Sequence, residues 1–197
     1  TELRKIMEDQ MFLDCFGCDV DYSLGKNFAD FADQFSKDSR YRTELYKLRR
    51  KFMSHADGLI HADLHTSNIM ASRDKMKVID MEFAFMGPFG YDLGYLVGNL
   101  ISQYCAACFK RFPSEQSRKQ FKAYLLATIK LLIETYMKTF TLCWEKSVKE
   151  RYRGQQGLLQ SILQEVMEDV PGYASMVNWF RSVSEIPYPD FDIIEDK

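Results

Sequence analysis

At 197 residues the chain is long enough for one domain, or one lobe of a larger one, with a core of its own. Its 26 Lys and Arg against 28 Asp and Glu leave a net charge of −2, which gives no electrostatic footprint for nucleic acid or an anionic membrane. A 46% hydrophobic and 14% aromatic content is that of a folded protein, and no stretch reaches the ~18 uninterrupted apolar residues of a membrane span.

In chain order, Leu3, Ile6, Met7, Met11 and Phe12 fall at helical spacing, and Gly17 and Gly25 mark a loop from Asp14 to Asn27. From Ser36, Tyr41, Leu45, Leu48, Phe52 and Met53 share one side of a charged helix that ends near His55 to Gly58. Gly58 to His61 reads as a short buried extended run. Asn68 to Ala71 and Met76 to Asp80 flank the turn-prone Ser72-Arg-Asp-Lys75, which predicts a β-hairpin. After Gly90 the pattern is helical: Tyr91 to Phe109, Ser114 to Lys138 continuing through Trp144, Leu158 to Val170, and Tyr173 to Ser182. The fold class is therefore mainly α with a small hairpin.

The opening TELRKIMEDQ is charged and amphipathic, unlike a secretion signal, and five cysteines are an odd number for a disulfide framework. Both point to the cytoplasm. Cys15 with Cys18 and Cys105 with Cys108 have CxxC spacing, but the pairs lie much further apart than the ~15 to 20 residues of a four-thiolate zinc site. Buried, inert thiols are the expectation.

The chemistry concentrates between Leu59 and Asn99. A turn at Ser72 to Lys75 sets Ala71 opposite Met76, Ile69 opposite Val78 and Asn68 opposite Ile79. Asn68 and Asp80 then emerge together at the open end, beside the loop that carries Asp63 and close to Glu82. Carboxylates brought together repel unless a cation relieves them, and all-oxygen ligands favour Mg²⁺. Phosphoryl transfer needs this set: Asp63 to take or orient the proton of an attacking hydroxyl, and Asp80 with Asn68 or Glu82 to hold Mg²⁺ on ATP. His61 reads as a residue holding the loop, and His65 as scaffold or substrate contact. Asp92 is a helix N-terminal acid that could also brace the loop by accepting backbone N–H groups. The apolar, turn-rich run from Phe83 to Tyr91 reads equally as a pocket wall or ordinary core.

The segments HADLHTSNI and VIDMEFAFMGPFGYDLG, followed by NL, resemble the methylthioribose kinase family, which groups with choline kinases and aminoglycoside phosphotransferases. The resemblance implies the C-terminal lobe of a two-lobed, protein-kinase-like fold. It implies a single domain over 1–197 with the catalytic loop at 61–68, the metal-binding segment at 80–82 and a helical remainder over 91–183. By the same resemblance Asp63 is the catalytic base and Asp80 and Glu82 bind the Mg²⁺ of ATP. The resemblance further implies that Arg181 contacts a sugar acceptor, methylthioribose in methionine salvage, and that the protein is a homodimer. Ala62, Ser67-Asn68, Met81, Met86 and Ser182 depart from the family pattern, which leaves another acceptor of the same fold or a non-catalytic lobe as alternatives. No glycine-rich phosphate loop or strand lysine precedes Asp63, so a fragment without the ATP-grasping lobe, weak in ATP binding alone, is expected.

Overall fold

The computed structural model describes residues 2–16, 26–183 and 188. Six α-helices are described: α1 (Glu2–Glu8), α2 (Lys26–Lys37), α3 (Ser39–Ser54), α4 (Gly90–Ala106), α5 (Glu115–Ser147) and α6 (Gln156–Val183). Four three-residue strands lie between α3 and α4: β1 (Gly58–Ile60), β2 (Ile69–Ala71), β3 (Met76–Val78) and β4 (Phe85–Gly87). They pair as two antiparallel ribbons, β1 with β4 and β2 with β3. The mainly helical fold expected from the sequence is the fold observed.

The hairpin has the register that the turn dictated, with Ile69 opposite Val78 and Ala71 opposite Met76. The Ile79 amide donates to the carbonyl of Asn68 at 3.0 Å and extends the ladder by one rung. The second ribbon was less legible. Gly58–Ile60 does form a strand, but Leu59 is exposed where a buried run was expected, and its partner is Phe85–Gly87, inside the segment that reads as turn and pocket wall. One reason is length: three residues offer too little alternation to be read as a strand.

Each helix has a local cause. Asp38 caps α3, its carboxylate accepting from the amides of Arg40 at 2.8 Å and Tyr41 at 3.0 Å, and Ser114 caps α5 by accepting from Ser117. The stripe on α3 buries Leu45 and Phe52 as expected, whereas Ile6 of α1 stays on the surface, off the face that buries Met7 and Glu8. The sequence reading assigned no element to α2, which contributes Ala32 and Phe35 to the core, Phe35 packing on Tyr41 and Trp179.

Two helices were expected over 158–182, and one is found. Pro171 lies inside α6. Proline in a helix interior costs ~3 kcal/mol. Val166, Val170, Tyr173, Ala174 and Val177 are buried on both sides of it, and that packing keeps the helix continuous. Opposite them, Gly90, Gly94 and Gly98 of α4 repeat every four residues and open a groove in which α6 lies. At Gly98 a Cβ would stand 2.8 Å from the Ala174 carbonyl oxygen.

The core runs from α1 through α3 to α4 and α6, centred on Phe12, Phe52, Tyr91, Tyr173 and Val177. Phe52 meets Phe85 edge-on at 5.4 Å, so Phe85 belongs to this core. Arg4 ties α1 to the strands: it donates to the carbonyls of Met53, His55 and Met86 and lies over the Phe85 ring. The strands therefore rest on a helical base that cannot shift without disturbing the core.

Candidate active site

The loop between β1 and β2 carries His61, Asp63, His65 and Asn68, and α4 holds it at three points on one helical face. At the first, the Asp92 carboxylate accepts the amide of His61 at 2.6 Å and that of Ala62 at 3.0 Å. At the second, the Tyr95 hydroxyl donates to Asp63 Oδ1 at 2.8 Å. At the third, Asn99 Oδ1 accepts from both the amide, at 3.0 Å, and the hydroxyl, at 2.8 Å, of Thr66. Positions 92, 95 and 99 recur at helical spacing, so one rigid element sets the loop's backbone, its acid and its far end.

Ala62 lies in the left-handed region with φ 68° and is fully buried. That conformation is routine only for glycine. The hydrogen bonds that the His61 and Ala62 amides donate to Asp92 hold the peptide in it, which is how the structure accommodates alanine there. Asp92 accepts these bonds in a poorly hydrated setting: burial raises its pKa above the ordinary carboxylate value, and the two amides counter this only in part.

His61 has both ring nitrogens in hydrogen bonds. Its Nε2 donates to the Ile79 carbonyl at 2.8 Å and its Nδ1 accepts the Asp63 amide at 3.3 Å, so the ring joins the loop to the end of the hairpin. With both nitrogens engaged, no atom is left to act as a base. Asn68, also buried, donates from Nδ2 to the Asp63 carbonyl at 3.1 Å, and its Oδ1 can act only as an acceptor.

Asp63 is half-buried. Burial by itself pushes its carboxyl up, but hydrogen bonds from His65 and Tyr95 and the nearby imidazoles outweigh it, so the group sits below the ordinary carboxylate value and is ionised at neutral pH. His65 Nε2 lies 3.4 Å from Oδ2, the looser of the two contacts on the carboxylate. An ionised, oriented carboxylate on a loop can accept a proton from a hydroxyl brought to Oδ2.

Asp80 and Glu82 follow the hairpin as exposed side chains, Asp80 with φ 66°, a left-handed conformation that aspartate tolerates. Among the described residues no three His, Cys, Asp or Glu side chains converge to hold a metal ion. The carboxylates expected together at the open end of the hairpin thus form no ready-made cage. The donor set nonetheless suits Mg²⁺, which is bound through one or two carboxylates plus substrate phosphates, with all-oxygen ligands. Among the described residues the cysteines give no metal site either: Cys15 is buried and Cys105 and Cys108 are exposed free thiols, while Cys18 lies outside the described residues.

Arg181, at the end of α6, is buried, lies over the Tyr188 ring at 4.1 Å and is near enough to Tyr95 for its charge to act on that phenol. Ser182 turns elsewhere. Its hydroxyl donates to the Trp179 carbonyl at 2.8 Å, and it lines an apolar cavity of about 680 Å³ among α2, α4, α5 and α6 that includes neither Asp63 nor Arg181. Tyr95 and Asn99 are the site residues that sequence reasoning missed. The signal available was their spacing from Asp92, once α4 is wound as a helix.

Residues 19–130 match the phosphotransferase enzyme family. Across its whole length the chain is 34% identical to a methylthioribose kinase of Geobacillus sp. strain WCH70, covering 46% of that protein. It is 35% identical to the methylthioribose kinase of Geobacillus thermodenitrificans, covering 47%. Over 99% of the chain it is 30% identical to that of Exiguobacterium sibiricum, covering 48%. The chain thus spans about half the length of the curated relatives it matches.

Proposed function

Because this chain belongs to the phosphotransferase enzyme family, we propose that it supplies the catalytic lobe of a small-molecule kinase that transfers the γ-phosphate of ATP to an alcohol. The observation that carries the reading is Asp63: an ionised, half-buried carboxylate presented by a loop that α4 braces at three points. In the proposed reaction the acceptor hydroxyl donates its proton to Asp63 Oδ2 as its oxygen bonds to the γ-phosphorus. The bond to the bridging oxygen breaks, and ADP leaves with that electron pair. Asp80, Glu82 and Asn68 Oδ1 would hold Mg²⁺, which when bound neutralises charge on the phosphates. His65 and Arg181 orient the acceptor, and His61 and Asp92 keep the loop in place.

The domain assignment belongs to the same proposal: 1–197 as one kinase-like C-terminal lobe, with the catalytic loop at 61–68, the metal segment at 80–82 and the helical remainder over 91–183. The favoured acceptor is the 1-hydroxyl of 5-methylthioribose, supported by the methylthioribose kinases among the relatives. Ser182, where the resemblance calls for a second arginine, supports a related acceptor of the same fold as the second reading. The proposal extends to a cytoplasmic homodimer. Free thiols at Cys15, Cys105, Cys108 and Cys143 support the compartment, and exposed Tyr124, Leu126, Leu131 and Leu142 along α5 support an interface. No helix among the described residues is long and apolar enough to cross a membrane, and neither a membrane nor a nucleic acid is part of the reading.

The test is ADP release by the full-length protein carrying this sequence, with methylthioribose, ribose, choline and an aminoglycoside as acceptors. Turnover on methylthioribose alone supports the favoured acceptor, and turnover on another supports the second reading. Asp63→Asn should lower turnover by roughly 10²- to 10⁴-fold, the contribution of a general base, without loss of fold. Full activity in that variant would remove Asp63 from the chemistry.

A further inference from the structure

Asp63 is held through its side chain as well as through its loop. Among the described residues two groups contact its carboxylate, and they differ in kind. His65 comes from the loop itself, approaches Oδ2 at 3.4 Å and is one-fifth exposed. Tyr95 comes from α4, donates to Oδ1 at 2.8 Å and is 2% exposed, with its ring tilted against Tyr91 at 6.0 Å. A phenol fixed in a packed helix face is a far stiffer anchor than a histidine on the same loop as its partner.

We infer that Tyr95 is a positioning residue for the phosphoryl transfer proposed above: its hydroxyl pins Oδ1 of Asp63 and so leaves Oδ2 turned toward the acceptor hydroxyl. The inference rests on the kinase reading. Around Tyr95 stand Asp63 from the loop, Tyr91 from α4, Arg181 from α6, and Tyr188. Among these, Asp63 receives the Tyr95 hydrogen bond. Burial, with the negative charge of Asp63 beside it, keeps the phenol protonated and therefore a donor. Removing the hydroxyl alone leaves the loop's backbone braces, Asp92 and Asn99, intact. Tyr95→Phe therefore separates aim from fold.

In the full-length protein, Tyr95→Phe should lower kcat about ten- to a hundredfold, the scale of a small misplacement of a catalytic group, with KM for ATP and the melting temperature nearly unchanged. In an Asp63→Asn background the same substitution should have little further effect, because a residue acting through Asp63 has nothing left to position. An unchanged kcat, or losses that multiply across the two positions, would overturn the inference.

A spectroscopic arm needs no turnover. At neutral pH the carboxyl-carbon NMR signal of Asp63 should move in Tyr95→Phe while that of Asp92 stays. A still Asp63 signal refutes the contact itself. If wild-type protein phosphorylates none of the acceptors while the signal moves, the contact stands and the kinase reading falls, together with the role assigned here.

Discussion

Replacing Gly98 with alanine puts a methyl group where α6 lies against α4. The new Cβ would sit 2.8 Å from the carbonyl oxygen, 3.0 Å from the Cα and 3.3 Å from the carbonyl carbon of Ala174, all of them backbone atoms. No rotamer change relieves such a contact. Reaching an ordinary 3.4 Å separation requires α6 to retreat by about 0.6 Å, and overpacking of this kind costs roughly 1–3 kcal/mol. Alanine returns up to ~1 kcal/mol through its better helix propensity. Gly157 in the first turn of α6, where a Cβ meets nothing within 4 Å, supplies the control, because Gly157→Ala carries a propensity gain without the clash. The difference between the two variants isolates the steric part. At about 2–4 °C per kcal/mol for a chain of this size, thermal melts by circular dichroism should place Gly98→Ala roughly 2–12 °C below Gly157→Ala. Equal melting temperatures would refute the close seating of α6 in the glycine groove. Turnover should fall in Gly98→Ala as well, since α4 carries Asp92, Tyr95 and Asn99 while α6 carries Arg181.

Further outcomes follow from the site and its supports. Asp92→Asn turns one acceptor into a donor facing a backbone amide, so it should destabilise the protein by about 1–3 kcal/mol and lower turnover, as thermal melts and ADP release would report; wild-type values in both would remove Asp92 as the brace. Asp80→Ala should raise the Mg²⁺ requirement or abolish turnover, and an unchanged Mg²⁺ titration of the rate would take Asp80 out of the metal site. Hydrogen bonds from the amides of Tyr41 and Arg40 hold the pKa of Asp38 below its ordinary value. With the folded value depressed, the cap's contribution is present above the unfolded pKa and is lost as pH falls through the folded one. Asp38→Asn keeps an amide-accepting oxygen and should melt with a flatter acid dependence; an unchanged acid limb would assign that dependence to other carboxylates.

Local patterns made much of this molecule readable. The turn at Ser72 to Lys75 fixed the hairpin register, because a side-chain period of two allows one alignment with Asn68 and Asp80 at the open end. The order and spacing of Asp63, Asn68 and Asp80 singled out a candidate site, because they match the groups that phosphoryl transfer demands. The stripe of Leu45 and Phe52 gave the buried face of α3. What stayed hidden depends on contacts between residues distant in the chain. Phe85–Gly87 becomes a strand because Gly58–Ile60 is there to pair with it, and α6 runs through Pro171 because burial against the glycines of α4 outweighs a broken hydrogen bond. Tyr95 belongs to the site because the α4 helix brings its hydroxyl to a carboxylate 32 positions earlier. Sequence determined which groups are candidates for the proposed chemistry, since reactive residue types and spacings are local properties. Tertiary structure decided which oxygen of Asp63 is held and what holds it, since that depends on how a helix and a loop far apart in sequence are packed together.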